Sequence, residues 1–163
     1  MEIEKNIQVS VVMGSQSDWE IMQVACDLLE KLDVSYEKKI VSAHRTPDRV
    51  YEDAYSLRKR KITVVIAGAG GAAHLPGMIA SKTDIPVIGV PINATDLRGV
   101  DTLYSIVQMP KGYPVATMAI GSPGAFNAAI FAIQVLAVTD KVSGQKIRDW
   151  RADTTNRVKN EPV

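Results

Sequence analysis

Thr63–Gly77 reads TVVIAGAGGAAHLPG, and its two halves decide how the chain is built. Thr63-Val64-Val65-Ile66 is β-branched throughout, the composition of a buried strand. The run Ala67–Gly77 that follows holds four glycines, no charged residue and little side-chain volume. Glycine loses the most backbone freedom on folding, so this loop needs a ligand or another backbone at close range. The expectation is a small-molecule site walled by main chain at the end of a strand.

Strand-like runs alternate with helical patterns on both sides of this stretch. Ile7–Met13 is a strand, and Ser17 with Glu20 forms a capping-box pattern that opens a helix. That helix carries Ile21, Val24, Ala25, Leu28, Leu29 and Leu32 on one face. Tyr36–Val41 is the second strand, and Thr46 before Pro47 starts the second helix. Ile62–Ala67 is the third strand, with a short helix from Leu75 to Ser81 behind the glycine loop. Pro86–Val90 and Pro114–Ile120 complete five strands, with a helix over Asp101–Met109 between them. Ala125–Val138 is a helix apolar on nearly every side, which predicts burial in a subunit interface. Asp140–Asn160 is a polar helix with a sparse stripe of Ile147, Trp150 and Val158.

Parallel strands need crossover helices, so this order predicts an α/β fold: a three-layer αβα sandwich on a parallel five-stranded sheet. Residues 1–163 read as a single domain, with an αβα core over 1–138 and a C-terminal helical tail over 139–163. Ligands in such folds bind beyond the carboxyl ends of the strands. The loops there are Gly14–Asp18, Ser42–Pro47, Gly68–Gly77, Asn93–Gly99 and Gly121–Gly124, and they hold every unusual residue of the sequence. The turns at the other end read as plain solvated connections.

Composition narrows the function. Of 163 residues 46% are hydrophobic and 23% charged, with a net charge of +1, which gives nucleic acid no basic face. The one cysteine, Cys26, has no disulfide partner and no metal-ligand pattern, pointing to a reducing, cytoplasmic setting and no bound metal. Met1–Lys5 lacks the apolar stretch of a signal peptide, and no run is long enough to span a membrane.

Ser15, Ser17 and the first helix start suit a phosphate, with Arg45 as a bidentate donor and Asp18 as a carboxylate for a ribose diol. His44 and His74 are the only histidines; both lie on the ligand side, where imidazole serves as a general acid or base. No nucleophile motif and no P-loop lysine is present, which argues against ATP use. Gly68-x-Gly70-x-x-Ala73 matches the dinucleotide fingerprint in form, but on the third strand, and Asn93 stands where a ribose-binding acid belongs.

Gly14-Ser-x-Ser-Asp18, Ser42-Ala-His-Arg-Thr-Pro47, Ala67–Gly77, Gly99-Val-Asp-x-Leu-Tyr-Ser105 and Gln108-Met-Pro110 together resemble the N5-carboxyaminoimidazole ribonucleotide mutases. These are the bacterial class of the aminoimidazole ribonucleotide carboxylase family of purine synthesis. The resemblance covers roughly Val9 to Val138; animal-type members carry lysine where Arg45 stands. It implies a flavodoxin-like fold, a cytoplasmic homo-octamer and transfer of a carboxylate from N5 to C4 of the substrate without cofactor. It also implies that His44 is the acid/base, that Ser15, Ser17 and Arg45 hold the phosphate, and that Asp18 holds the ribose. Ser42, the Ala69-Gly70-Gly71 backbone, His74 and Leu75 would line the base and the carboxylate. Two alternatives stay open: direct carboxylation with free CO2, and a flavodoxin-like nucleotide-cofactor carrier.

Overall fold

The computed structural model describes residues 7–162; the reading of Met1–Lys5 lies outside them. Five strands form one all-parallel sheet: β1 (Val9–Met13), β2 (Tyr36–Ile40), β3 (Val64–Gly70), β4 (Val87–Ile92) and β5 (Ala116–Thr117). Their order is β2-β1-β3-β4-β5, the flavodoxin-like order, with the chain switching direction between β1 and β3. The helices are α1 (Trp19–Lys31), α2 (Pro47–Ser56), α3 (Leu75–Ala80), α4 (Val100–Val107), α5 (Ser122–Ala137) and α6 (Lys141–Asn156).

Alternate strand residues feed two cores, as the period of a strand requires. Val9, Val11, Val64, Ile66, Ile88 and Val90 face α1, α5 and α6. Val12, Val65, Ala67, Ala69 and Val87 face α2, α3 and the buried Ile106 of α4. The expected three-layer sandwich is thus the observed one.

Four local expectations change. First, β3 runs on through Gly70, so the first part of the glycine loop is strand. A Cβ on Gly68 would lie 2.3 Å from Met22 Sδ, so this glycine admits a helix side chain to the sheet. The buried face of α1 accordingly centres on Met22, Cys26 and Leu29, whereas Ile21, Val24 and Leu32 are only half-buried. Second, the fifth strand shrinks to Ala116–Thr117 because it pairs with β4 only at Ile88 and Gly89. Third, α5 finds its cover inside its own chain, under α1, the sheet and α6, with Ala125, Ala128, Ala129, Ala132 and Ile133 fully buried. Its all-round apolarity therefore does not require a second subunit. Fourth, Val158 lies beyond α6 and is exposed, while Ile147 and Trp150 pack on the core, with Trp150 against Phe126 at 5.9 Å. The tail packs on its own domain, capped by Asp140, whose carboxylate accepts from Val142 N at 3.1 Å and Ser143 N at 3.0 Å.

Candidate active site

The loops after β1, β2 and β3 meet at the switch point, where they enclose a cavity of about 400 Å³. The β1 loop brings Gly14, Ser15, Ser17 and Asp18; the β2 loop brings Ser42, Ala43, His44 and Arg45. The end of β3 and the turn behind it bring Ala69, Gly70, Ala72, His74 and Leu75. Every residue expected in the site lines this cavity except Gly71, which turns the chain away from β3 at φ +63°. Sequence reasoning named no role for Ala94, which arrives from the loop after β4 and is reached only through long-range packing.

Side-chain hydrogen bonds fix the loops. Ser15, rather than Ser17, is the cap: its Oγ accepts from Ser17 N at 3.3 Å and opens a single 3₁₀ turn ahead of α1. Ser17 is thereby released from capping, and its hydroxyl donates to Ser15 Oγ at 3.0 Å. Thr46 stands at the cap position before Pro47, as expected, but its hydroxyl serves the loop. It accepts from Ser42 N at 2.9 Å and donates to Ser42 O at 3.1 Å, closing the turn that presents His44. Arg45 donates through Nε to Ser42 Oγ at 3.2 Å and through Nη2 to Gly14 O at 3.0 Å, joining the β1 and β2 loops. A guanidinium has about five N–H donors, so several remain for an anion.

His44 Nε2 lies 2.7 Å from His74 Nδ1, with the rings edge to face at 4.8 Å. Both side chains are exposed at the cavity mouth. At this distance one ring donates its N–H to the lone pair of the other, so the pair holds a proton between two nitrogens that belong to different loops.

Asp18 is only 5% exposed. Burial, the largest influence, pushes its carboxyl above the ordinary range; hydrogen bonds from the backbone of Ser15 and Gly14, and the Arg45 charge, pull the other way without cancelling it. A carboxyl raised on folding contributes stability below its unfolded pKa of about 3.9 and loses it as pH rises through the higher folded value. Asp18→Asn keeps the group uncharged at every pH. The variant should therefore melt above the parent at about pH 7, with the margin vanishing below about pH 3. Thermal melts across that range check it, and a lower melting temperature at neutral pH would contradict it. Cys26, by contrast, is buried away from the cavity, and desolvation lifts its thiol to about 11, which makes it an inert core residue.

A larger cleft, about 810 Å³, lies at the opposite end of the sheet beside Tyr55, Arg58, Lys82, Asp84 and Tyr113. Its Arg58 and Asp84 pair with each other and Lys82 sits over Tyr51 at 4.8 Å, so its charges are already engaged. Neither histidine is near it. The switch-point cavity is the better candidate.

The family model described as AIR carboxylase matches residues 8–157. The chain belongs to that family. Among its relatives is the N5-carboxyaminoimidazole ribonucleotide mutase of Escherichia coli K12, 54% identical over 155 residues, covering 95% of this chain and 92% of the relative. The mutases of Haemophilus influenzae and Bacillus subtilis are 53% and 56% identical, covering 98% and 92% of this chain and 98% and 93% of theirs. The crystal structure of Treponema denticola PurE superposes with a TM-score of 0.83 at 23% identity, covering 92% of each chain, and supports the family fold.

Proposed function

We propose that this chain, one domain throughout, is an N5-carboxyaminoimidazole ribonucleotide mutase of purine biosynthesis, forming 4-carboxy-5-aminoimidazole ribonucleotide. The observation that carries the reading is the His44–His74 pair at the mouth of a cavity walled by Ala69 and Gly70, in a chain of this family. Purified protein given that substrate, without ATP or added metal, should form the C4 product; persistence of the substrate beyond its spontaneous decay would overturn the reading.

The reaction divides into two proton steps. The C–N bond to the N5 carboxylate breaks, its electron pair stays on nitrogen, and His44 delivers a proton there. CO2 and the imidazole must stay together in the pocket that the bound nucleotide fills. C4 then attacks CO2, a C–C bond forms, and His44 takes the C4 proton back. No net proton is consumed. His74 orients the His44 ring, and the small residues of the cradle let backbone donors approach the carboxylate. Asp18 and Ser42 receive the ribose and the base beside Leu75, while Ser15, Ser17 and Arg45 receive the phosphate.

Arg45→Ala should raise KM by about ten- to a hundredfold, the effect of losing a charge-assisted contact. The loss should shrink for an analogue lacking phosphate; an equal loss for both compounds would separate Arg45 from the phosphate. The family description as a carboxylase favours one second reading, direct use of free CO2. Isotopic bicarbonate appearing in the product during turnover would select it.

The protein also reads as a cytoplasmic homo-oligomer, an octamer by resemblance, but through a different surface from the one first expected. Val100, Tyr104 and Val107 are 48%, 63% and 49% exposed and follow helical spacing along α4, with Leu97, 64% exposed, in the turn just before it. An exposed apolar stripe of this kind suits another copy of the chain. Sedimentation should give a mass several-fold above 17.7 kDa, lowered by Tyr104→Glu. A monomeric parent would refute the assembly.

A further inference from the structure

The loop from Asn93 to Gly99 closes one side of the cavity, and nothing in the proton chemistry accounts for how it is held. Ala94 lines the cavity wall. A Cβ on Gly70 would lie 2.8 Å from the Ala94 Cβ, and one on Gly71 would lie 3.7 Å from Thr95 Cγ2. The loop therefore sits directly on the end of β3, where small displacements change the shape of the cradle. Residues 93–98 are exposed, and Arg98 adopts φ +54°, an unfavourable conformation for a residue with a side chain.

One side-chain bond ties this loop to α4. Thr95 Oγ1 donates to Asp101 Oδ2 at 2.8 Å and accepts from Leu97 N at 3.3 Å. Asp101 stands in the first turn of α4, where any acid is favoured by the helix dipole. That role needs no burial. Yet Asp101 Oδ1 is buried without a hydrogen-bond partner among the described residues, an arrangement that detracts from stability. An acid serving the helix alone would do better in solvent.

We propose that Asp101 is a positioning residue: through Thr95 it holds Ala94 against Gly70 and so sets the width of the cradle that retains CO2. The proposal rests on the mutase reading. Its physical basis is that trapped CO2 must stay within reach of C4, and a misplacement of about 1 Å can cost on the order of a hundredfold in rate. A looser wall also lets CO2 escape, leaving decarboxylated aminoimidazole ribonucleotide as a side product.

The test follows C4 product and decarboxylated side product together in the parent and in Thr95→Val, Thr95→Ser, Asp101→Ala, Asp101→Asn and the Thr95→Val/Asp101→Ala double variant. Thr95→Val and Asp101→Ala should each lower kcat about tenfold or more, with KM within about threefold, and raise the share of side product. Thr95→Ser and Asp101→Asn keep a donor and an acceptor, and should stay within about threefold of the parent. The double variant should be no worse than the poorer single one, because both remove one contact. Parent-like kcat and product partition in Thr95→Val, or losses that add in the double variant, would overturn the proposal. Thr95 is exposed, so its variants decide the matter even if Asp101→Ala fails to fold. An active parent separates failure of the proposal from failure of the mutase reading, since a parent that makes no C4 product sinks both.

Discussion

Replacing His44 with Asn should lower turnover by a factor of about 10² to 10⁴, the usual contribution of a positioned proton-transfer group, while nucleotide binding persists. Asparagine ends at the level of imidazole Nδ1, short of His74, which His44 meets through Nε2, so the variant also gives up the contact between the two histidines. It also lacks a ring nitrogen able to pass a proton to and from the substrate. The phosphate and ribose contacts proposed for Ser15, Ser17, Arg45 and Asp18 do not pass through this side chain. Steady-state rates with the N5-carboxylated substrate, alongside calorimetric binding of the product nucleotide, separate the two effects. Appreciable mutase activity in His44→Asn would remove His44 from the acid/base role. Loss of binding in parallel with loss of rate would make it a structural residue instead.

Gly124→Ala should destabilise the fold by more than about 3 kcal/mol, a large part of the roughly 5–15 kcal/mol of a typical domain. Helix propensity alone predicts the opposite sign, since alanine in a helix is favoured over glycine by about 1 kcal/mol. Sterics decide the matter. A Cβ at Gly124 would lie 1.7 Å from Ala119 O and 2.7 Å from its carbonyl carbon. Both are backbone atoms, so no rotamer change relieves the clash, and α5 would have to move off the sheet and off α1. Gly144→Ala in α6 is the control: its nearest neighbour, at 3.3 Å, is the end of the flexible Arg148 side chain. That variant should stay within about 1 kcal/mol of the parent. Urea unfolding of the two side by side checks both, and a raised midpoint for Gly124→Ala would show that propensity outweighs the contact.

The alternation of strands and helices, and the crowding of unusual residues at one end of the strands, were legible because both depend on local patterns. The site was legible for the same reason: Ser15, His44, Arg45 and His74 sit in strand-end loops, and a parallel sheet brings such loops together. What escaped depends on contacts between distant residues. Nothing near Gly68 announces that Met22 will press against it. The apolar sides of α5 do not say whether their cover comes from α6 of the same chain or from a neighbour. In α4 both faces carry apolar residues, and only the fold shows that Ile106 goes inward while Tyr104 stays outside. The Ser15 cap was missed because Ser17 with Glu20 makes an equally good local pattern.

The run from Ala67 to Gly70 answers to neighbours on both of its sides. Gly68 yields to Met22 beneath the sheet, Ala67 and Ala69 fill the opposite core, and Gly70 makes way for Ala94. Because successive strand residues point to opposite faces, adding or deleting one residue here would exchange all of those assignments at once. An alanine methyl would then press on Met22. The stretch thus tolerates almost no change in length, whereas the solvated turn at Thr83 and Asp84 has no such frame to lose. Length variation along this chain should be admitted at one end of the sheet and refused at the other.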